Sequence, residues 1–141
     1  MEQWETEAQF VHSVMKNAED GMFSEDGNSQ DKRKRHEEFQ NKWGFSDYEI
    51  IDLDQAIAMF ILPRLAYFIT QKDSIPNRLA EDNPALCEKE LIQEWNRILQ
   101  TICDGLHLYI EKYPTQFSYE ENEKWFIAKK YLFEYFEHLW I

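Results

Sequence analysis

The sequence predicts an all-α protein, a compact helical bundle of about five helices. Three observations carry this reading. Apolar residues recur at three- and four-residue spacings over long stretches, two Ser-x-x-Glu capping boxes mark helix starts, and no alternating run of β-branched residues occurs. A chain of 141 residues suits one domain, which at that size buries roughly two-thirds of the surface of its unfolded form without a metal or disulfide staple. With 43% hydrophobic and 16% aromatic residues there is ample material for a core.

Trp4, Ala8, Val11 and Met15 lie on one helical face and predict a helix over 3–17, within an acidic N-terminal segment 1–20. Residues 21–35 read as a flexible linker, because Gly21, Gly27, Asn28 and Ser29 interrupt the periodicity and the charge changes sign there. Residues 1–26 carry −6, residues 27–45 carry +2 and residues 46–141 carry −8. The rest of the chain, 36–141, is the expected helical core domain.

His36 to Trp43 reads as a short helix capped by Gly44. Ser46, with Glu49 three residues on, opens a helix over 47–71. Its run Ala56–Leu62 is apolar enough to be buried on most sides and form the centre of the domain, with a kink or break near Phe60 ahead of Pro63. Asp54 is the N-cap if a second helix starts there. Asn83-Pro84 reads as an N-cap followed by a first-turn proline. A long helix over 85–112 is expected to follow, striped by Leu91, Trp95, Ile98, Ile102, Leu106 and Tyr109, weakened locally by Gly105 and stopped at Tyr113-Pro114. Ser118 and Glu121 open a last helix over 119–140. Its apolar residues cover more than half its circumference. It therefore either crosses the middle of the bundle or offers Trp125, Tyr131, Tyr135 and Trp140 to another copy of the chain as a homo-oligomer interface.

The net charge of −12 repels phosphate backbones and argues against direct non-specific nucleic-acid binding, while it attracts a basic partner. The acidic first residues lack the basic start of a secretory signal, and no run approaches the ~18 consecutive apolar residues of a membrane span. The expected location is the cytoplasm, with no membrane partner. Cys87 and Cys103 have no CxxC or Cys/His spacing and read as reduced core residues.

The motifs of catalysis are missing from the sequence. There is no Gly-rich phosphate loop, G-x-S-x-G, H-E-x-x-H or EF-hand loop. Cys103 and His107 share a helical face, but a thiol in an apolar stripe ionises poorly. Glu90, Glu94, Glu134, Glu137 and His138 match neither the di-iron nor the pyrophosphatase ligand spacing, so no catalytic residue, metal or cofactor is assigned. The basic run Lys32-Arg33-Lys34-Arg35 reads as a solvent-exposed tether. Arg64, inside the most apolar segment, must reach solvent, pair with Asp52 or Asp54, or contact an anionic ligand. Trp43, Phe45, Asp52, Asp54 and Arg64 are thus the candidate binding residues.

Trp43-Gly44-Phe45-Ser46-Asp47, then Leu53-Asp54, then Phe60-Ile61-Leu62-Pro63-Arg64-Leu65, with a C-terminal aromatic helix ending His138-Leu139-Trp140, resembles a group of small uncharacterised proteins encoded by tailed bacteriophages and prophages. The resemblance covers about residues 42–141, and the first 40 residues fall outside it. It implies a phage accessory protein in the cytoplasm of the bacterial host. Such a protein would bind and modulate or inhibit a host protein, including a component of an antiviral defence system. The alternative is a sponge for a nucleotide or other small anionic ligand, and a further one is a metal-dependent nucleotide hydrolase.

Overall fold

The computed structural model describes residues 1–23 and 29–141, and among them it is all helix and turn, with no strand. Six α-helices follow one another: α1 Gln3–Phe23, α2 Ser29–Trp43, α3 Leu53–Gln71, α4 Asn77–Asp82, α5 Glu88–Glu111 and α6 Tyr119–Glu134. Short 3-10 turns cover Asp47–Ile50, Pro114–Gln116 and Phe136–His138. The all-α bundle expected from the sequence is present, with a short extra helix, α4, between the two helices expected over 47–71 and 85–112.

Packing passes from α1 to α3, from α3 to α5 and from α5 to α6. The centre of the bundle is α5, not the 56–65 segment. Its apolar stripe buries Trp95, Ile98, Leu99, Ile102, Cys103, Leu106 and Ile110 between α3 on one side and α6 on the other. From α3 only Ala58, Leu62, Leu65 and Ala66 are buried, so the expectation that this segment is enclosed on most sides is corrected. Its average apolarity concealed a second, outward apolar face. By length and composition α3 is also apolar enough to cross a membrane, with 19 residues at a mean hydropathy of 1.3.

Of the kink or break expected near Phe60, the break is not found, for α3 is one helix from Leu53 to Gln71 with Pro63 inside it. Proline removes the bond to the carbonyl four residues back. The neighbouring carbonyl, that of Phe60, accepts the Arg64 guanidinium at 2.8 Å, which supports the helix beside the gap. The long helix begins at Glu88 rather than near 85. Cys87 is its N-cap, Glu90 closes a capping box on it, and Asn83 instead donates from its side chain to the Leu79 carbonyl at the end of α4. Cys87 is therefore exposed at a helix start, against the expectation of two core cysteines, whereas Cys103 is buried.

The N-terminal helix extends to Phe23 and forms a wall of the bundle. Val11 enters the core, Trp4 meets Tyr67 edge-on at 4.9 Å, and the buried Glu7 carboxylate accepts from His107 Nδ1 at 3.0 Å while Phe10 stacks on the same imidazole at 4.1 Å. The stretch expected as a linker is helical at 21–23 and from 29 onward; residues 24–28, at its middle, lie outside the described residues. The basic run is not a free tether, since Arg33 returns to α1 and pairs with Glu19 at 2.5 Å.

Gly105 sets the approach of α5 to α6. A Cβ placed there would fall 2.1 Å from the Ala128 Cβ, far inside any van der Waals contact, so the two helices cross where neither carries more than a methyl group. Gly105→Ala is expected to destabilise the fold by about 2–3 kcal/mol despite its better helix propensity, with Ala128→Gly restoring much of the loss in the double mutant. Gly21→Ala, with nothing within 4 Å of the added carbon, is expected to be neutral or slightly stabilising. Urea unfolding followed by circular dichroism measures all four proteins.

Candidate functional site

The residues expected to gather at one site are divided between two places. At the end of α2, Gly44 adopts φ +83, a left-handed conformation open to glycine, and turns the chain sharply. Phe45 then folds back to meet Phe39 edge-on at 5.4 Å, Phe39 lies 6.5 Å from Trp43, and Lys42 covers the Trp43 ring at 4.8 Å. Trp43 and Phe45 remain exposed. Ser46 is buried, with its hydroxyl donating to Gln40 Oε1 at 2.8 Å and its amide to Glu49 at 3.2 Å. Asp47 meets His36, whose ring is edge-on to Tyr48 at 5.5 Å. The W-G-F-S-D segment is thus a structural junction between α2 and the turn before α3. Beside it lies a groove of about 530 Å³, whose lining includes Lys32, Arg35, His36, Tyr48, Ile50 and Ile51.

Arg64 lies elsewhere, and no contact among the described residues joins it to Trp43 or Phe45. Nor does it pair with Asp52 or Asp54. Ten residues of helix separate Arg64 from Asp54, a rise of about 15 Å, which no guanidinium spans. Its guanidinium sits 3.8 Å over the Phe60 ring, a cation–π contact that leaves the charge near solvent. Together with Trp4, Ala8, Pro63 and Tyr67 it borders an apolar recess of about 380 Å³ between α1 and α3. Asp52 is exposed and caps α3 through its carbonyl, which accepts from the Ala56 amide at 3.0 Å. Asp54 accepts the Tyr109 hydroxyl, and Tyr109 also stacks on Trp125 at 4.5 Å, so this carboxylate joins the packing of α3, α5 and α6.

The aromatic residues expected at a subunit interface turn inward instead, apart from Trp140. Trp125 packs on Tyr109, the Tyr131 hydroxyl accepts from Arg97 at 3.2 Å, and Tyr135 is buried 5.3 Å from the Trp95 ring. They do so because α6 ends at Glu134 and packs on α5 by one side only, neither crossing the bundle nor running on to 140. The outward side is a different set: Tyr119, Phe126, Lys130 and Phe133 fall in line at spacings of seven, four and three, followed by Phe136 and Trp140. Phe126, Phe133, Phe136 and Trp140 are 62%, 74%, 62% and 65% exposed. Helical phase separates the two sets, but which phase faces the core depends on where Gly105 lets the helix sit.

Of the charged side chains weighed for chemistry, His107, Glu90, Glu94 and Glu134 have structural partners. Burial pushes the Cys103 thiol up to about 12, so it stays protonated at neutral pH and is no nucleophile, while His107 is held between Glu7 and Glu111. Glu94 pairs with Arg97, Glu134 with Arg78, and Glu90 with the Cys87 amide. Among the described residues no three His, Cys, Asp or Glu side chains converge as a metal site.

Two predictions follow from this geometry. A thiol reagent at neutral pH is expected to modify one of the two cysteines, the exposed Cys87, and to reach Cys103 only on unfolding; rapid titration of both in the native protein would contradict the packing. Burial first, and then the bond to Asp54, raise the Tyr109 hydroxyl to about 12. A raised tyrosine pKa favours the neutral form in the folded state, so this contribution to stability is complete below about pH 10 and is lost as pH rises towards 12. Burial also raises Tyr135, so ultraviolet difference titration should show Tyr109 and Tyr135 ionising late, and Asp54→Asn should bring Tyr109 alone back towards 10.

Comparison with protein-family models, with curated proteins and with solved structures returned no match.

Proposed function

We propose that this chain is a small non-catalytic phage accessory protein that binds and modulates or inhibits a host protein through the outer face of α6 and the C-terminal segment. The observation that supports this reading is the row Phe126, Phe133, Phe136 and Trp140, each more than 60% exposed. Aromatic side chains bring large contact area at small entropic cost and dominate the energetics of protein interfaces, and contiguous patches of this kind are rare on the free surface of soluble proteins. Lys124, Lys129 and Lys130 alternate with Glu123 and Glu137 around the row, a mixed-charge rim of the kind that favours a separate, exchangeable partner over a permanent subunit contact. The net charge of −12 steers the approach of a basic protein surface. The phage origin and bacterial cytoplasm in this reading rest on the W-G-F-S-D, L-D and F-I-L-P-R-L resemblance.

A second reading is favoured by the groove beside α2, where Lys32, Arg35 and His36 stand with Tyr48 on an otherwise acidic protein. Asp47 lines the groove too, beside His36, and the excess of cations together with Tyr48 suits a nucleotide or other small anion, as in a ligand sponge.

Affinity capture from a bacterial lysate, with mass spectrometry of retained proteins and of small molecules released by heat, separates the two. Wild type is expected to retain a specific host protein that Phe126→Ser/Phe133→Ser loses at least about tenfold, the scale of one aromatic anchor. Equal retention by both proteins would overturn the α6 assignment. A nucleotide released from wild type but not from Arg35→Ala would replace it with the sponge.

A further inference from the structure

We infer that the outer face of α3 is a homodimer interface, on which a second copy of this chain packs antiparallel about a two-fold axis at Phe60. Leu53, Ile57, Phe60, Arg64 and Tyr67 follow one another at spacings of four, three, four and three, which confines them to one narrow side of the helix, opposite the buried Ala58, Leu62, Leu65 and Ala66. The apolar members are 47–59% exposed. No acid interrupts the row.

Three features of this face select a second copy over other occupants. The first is its symmetry. The row is centred on Phe60, so an antiparallel pairing sets Phe60 on Phe60, Leu53 opposite Tyr67 and Ile57 opposite Arg64, as an isologous contact requires. Its two ends are also complementary in shape, with Leu53 standing out at one and the apolar recess of about 380 Å³ beside Tyr67, walled by Trp4, Ala8 and Pro63, lying at the other. The same two-fold axis carries Leu53 of each copy to the recess of the other.

The second is charge. Two bodies of −12 each repel, yet the contact row itself bears only Arg64, which among the described residues has no carboxylate partner. In the antiparallel register Arg64 arrives within one helical turn of the second copy's Asp54, whose carboxylate keeps acceptor capacity beyond its bond to Tyr109. The third is area. The five side chains of the row, Arg64 included, each leaving on the order of 100 Å² open, give roughly 500 Å² per copy and about 1,000 Å² in a symmetric contact, the ~1,000 Å² expected of a specific interface. The row is apolar apart from Arg64, in the manner of permanent subunit contacts, unlike the lysine-rimmed face of α6.

The inference is independent of the host-protein reading, and light scattering on the purified full chain tests it. At micromolar concentration the mass is expected to be twice 17.1 kDa. Phe60→Glu is expected to reduce it to 17.1 kDa with an unchanged helical spectrum, whereas Phe133→Glu leaves the dimer intact. In a Cys87→Ser background, Phe60→Cys should form an intermolecular disulfide under mild oxidation, because the two-fold axis places both thiols together, and Phe133→Cys should not. This second readout holds even if Phe60→Glu folds poorly. A wild-type mass of 17.1 kDa, a dimer that survives Phe60→Glu but is lost with Phe133→Glu, or a monomer that sediments with phosphatidylglycerol vesicles through the same face would each overturn the proposal.

Discussion

Where α5 and α6 cross, Gly105 contributes no side chain, and an added Cβ would stand 2.1 Å from that of Ala128. This close approach brings the two backbones together and fixes how α6 is rolled on its own axis. Trp125, Tyr131 and Tyr135 then lie against α5, where they meet Tyr109, Arg97 and Trp95 in turn. Tyr109 reaches on to Asp54 of α3, and Gln55 donates to the Tyr109 carbonyl at 3.1 Å, so the same crossing is linked through one side chain to the opposite wall of the bundle. A bulkier residue at 105 would shift every one of these contacts together, because packed interiors transmit displacement instead of absorbing it.

α3 is built differently on its two sides. Ala58, Leu62, Leu65 and Ala66 let it approach α5, while Ile57 and the larger Phe60 and Tyr67 face outward. Burying the small side and exposing the large one inverts the usual economy of a globular helix, in which the largest apolar residues give the most on burial. The inversion makes sense if the outer row is covered in the working assembly. Pro63 and Arg64 fit the same logic: proline leaves a carbonyl unsatisfied, and the guanidinium next to it reaches back to the adjacent one while its charge lies over Phe60.

Much of the fold was legible in local chemistry. Ser118 with Glu121 forms the capping box of α6, Gly44 takes the left-handed conformation, and the α5 stripe from Trp95 to Ile110 is buried as its period requires. The Ser46–Glu49 box, by contrast, opens the 3-10 turn Asp47–Ile50 and not the expected helix from 47, since α3 starts at Leu53 behind Asp52. Elsewhere two local signals compete. Asn83-Pro84 has the form of a helix start, but Cys87 with Glu90 makes the cap, and nothing in a cysteine's usual behaviour marks it as one. The centre of the bundle was misplaced because average apolarity measures how greasy α3 is, not which of its sides is enclosed. The candidate site was least legible. Trp43, Phe45 and Arg64 are close in sequence and in character, yet a helix separates them by its rise, and α1, whose Trp4 stands beside Arg64, is some sixty residues away along the chain. Tertiary neighbours of this kind leave no trace in spacing.

The bond between Glu7 and His107 closes a loop of about one hundred residues, whereas α5 and α6 are joined by a turn of only a few. Long closures cost more chain entropy and form later than short ones, so the α5–α6 hairpin is the natural seed of folding and α1 the last element to dock. On the ribosome this reverses the order of synthesis. Synthesised before α3 and α5, α1 keeps its apolar stripe, Trp4, Phe10 and Val11, uncovered until α3 and then His107 of α5 are available to receive it, and during that interval it is held in solution by its own acids. The strongly negative N-terminal segment therefore acts as a built-in solubility guard for a helix that must wait for its binding site to be made.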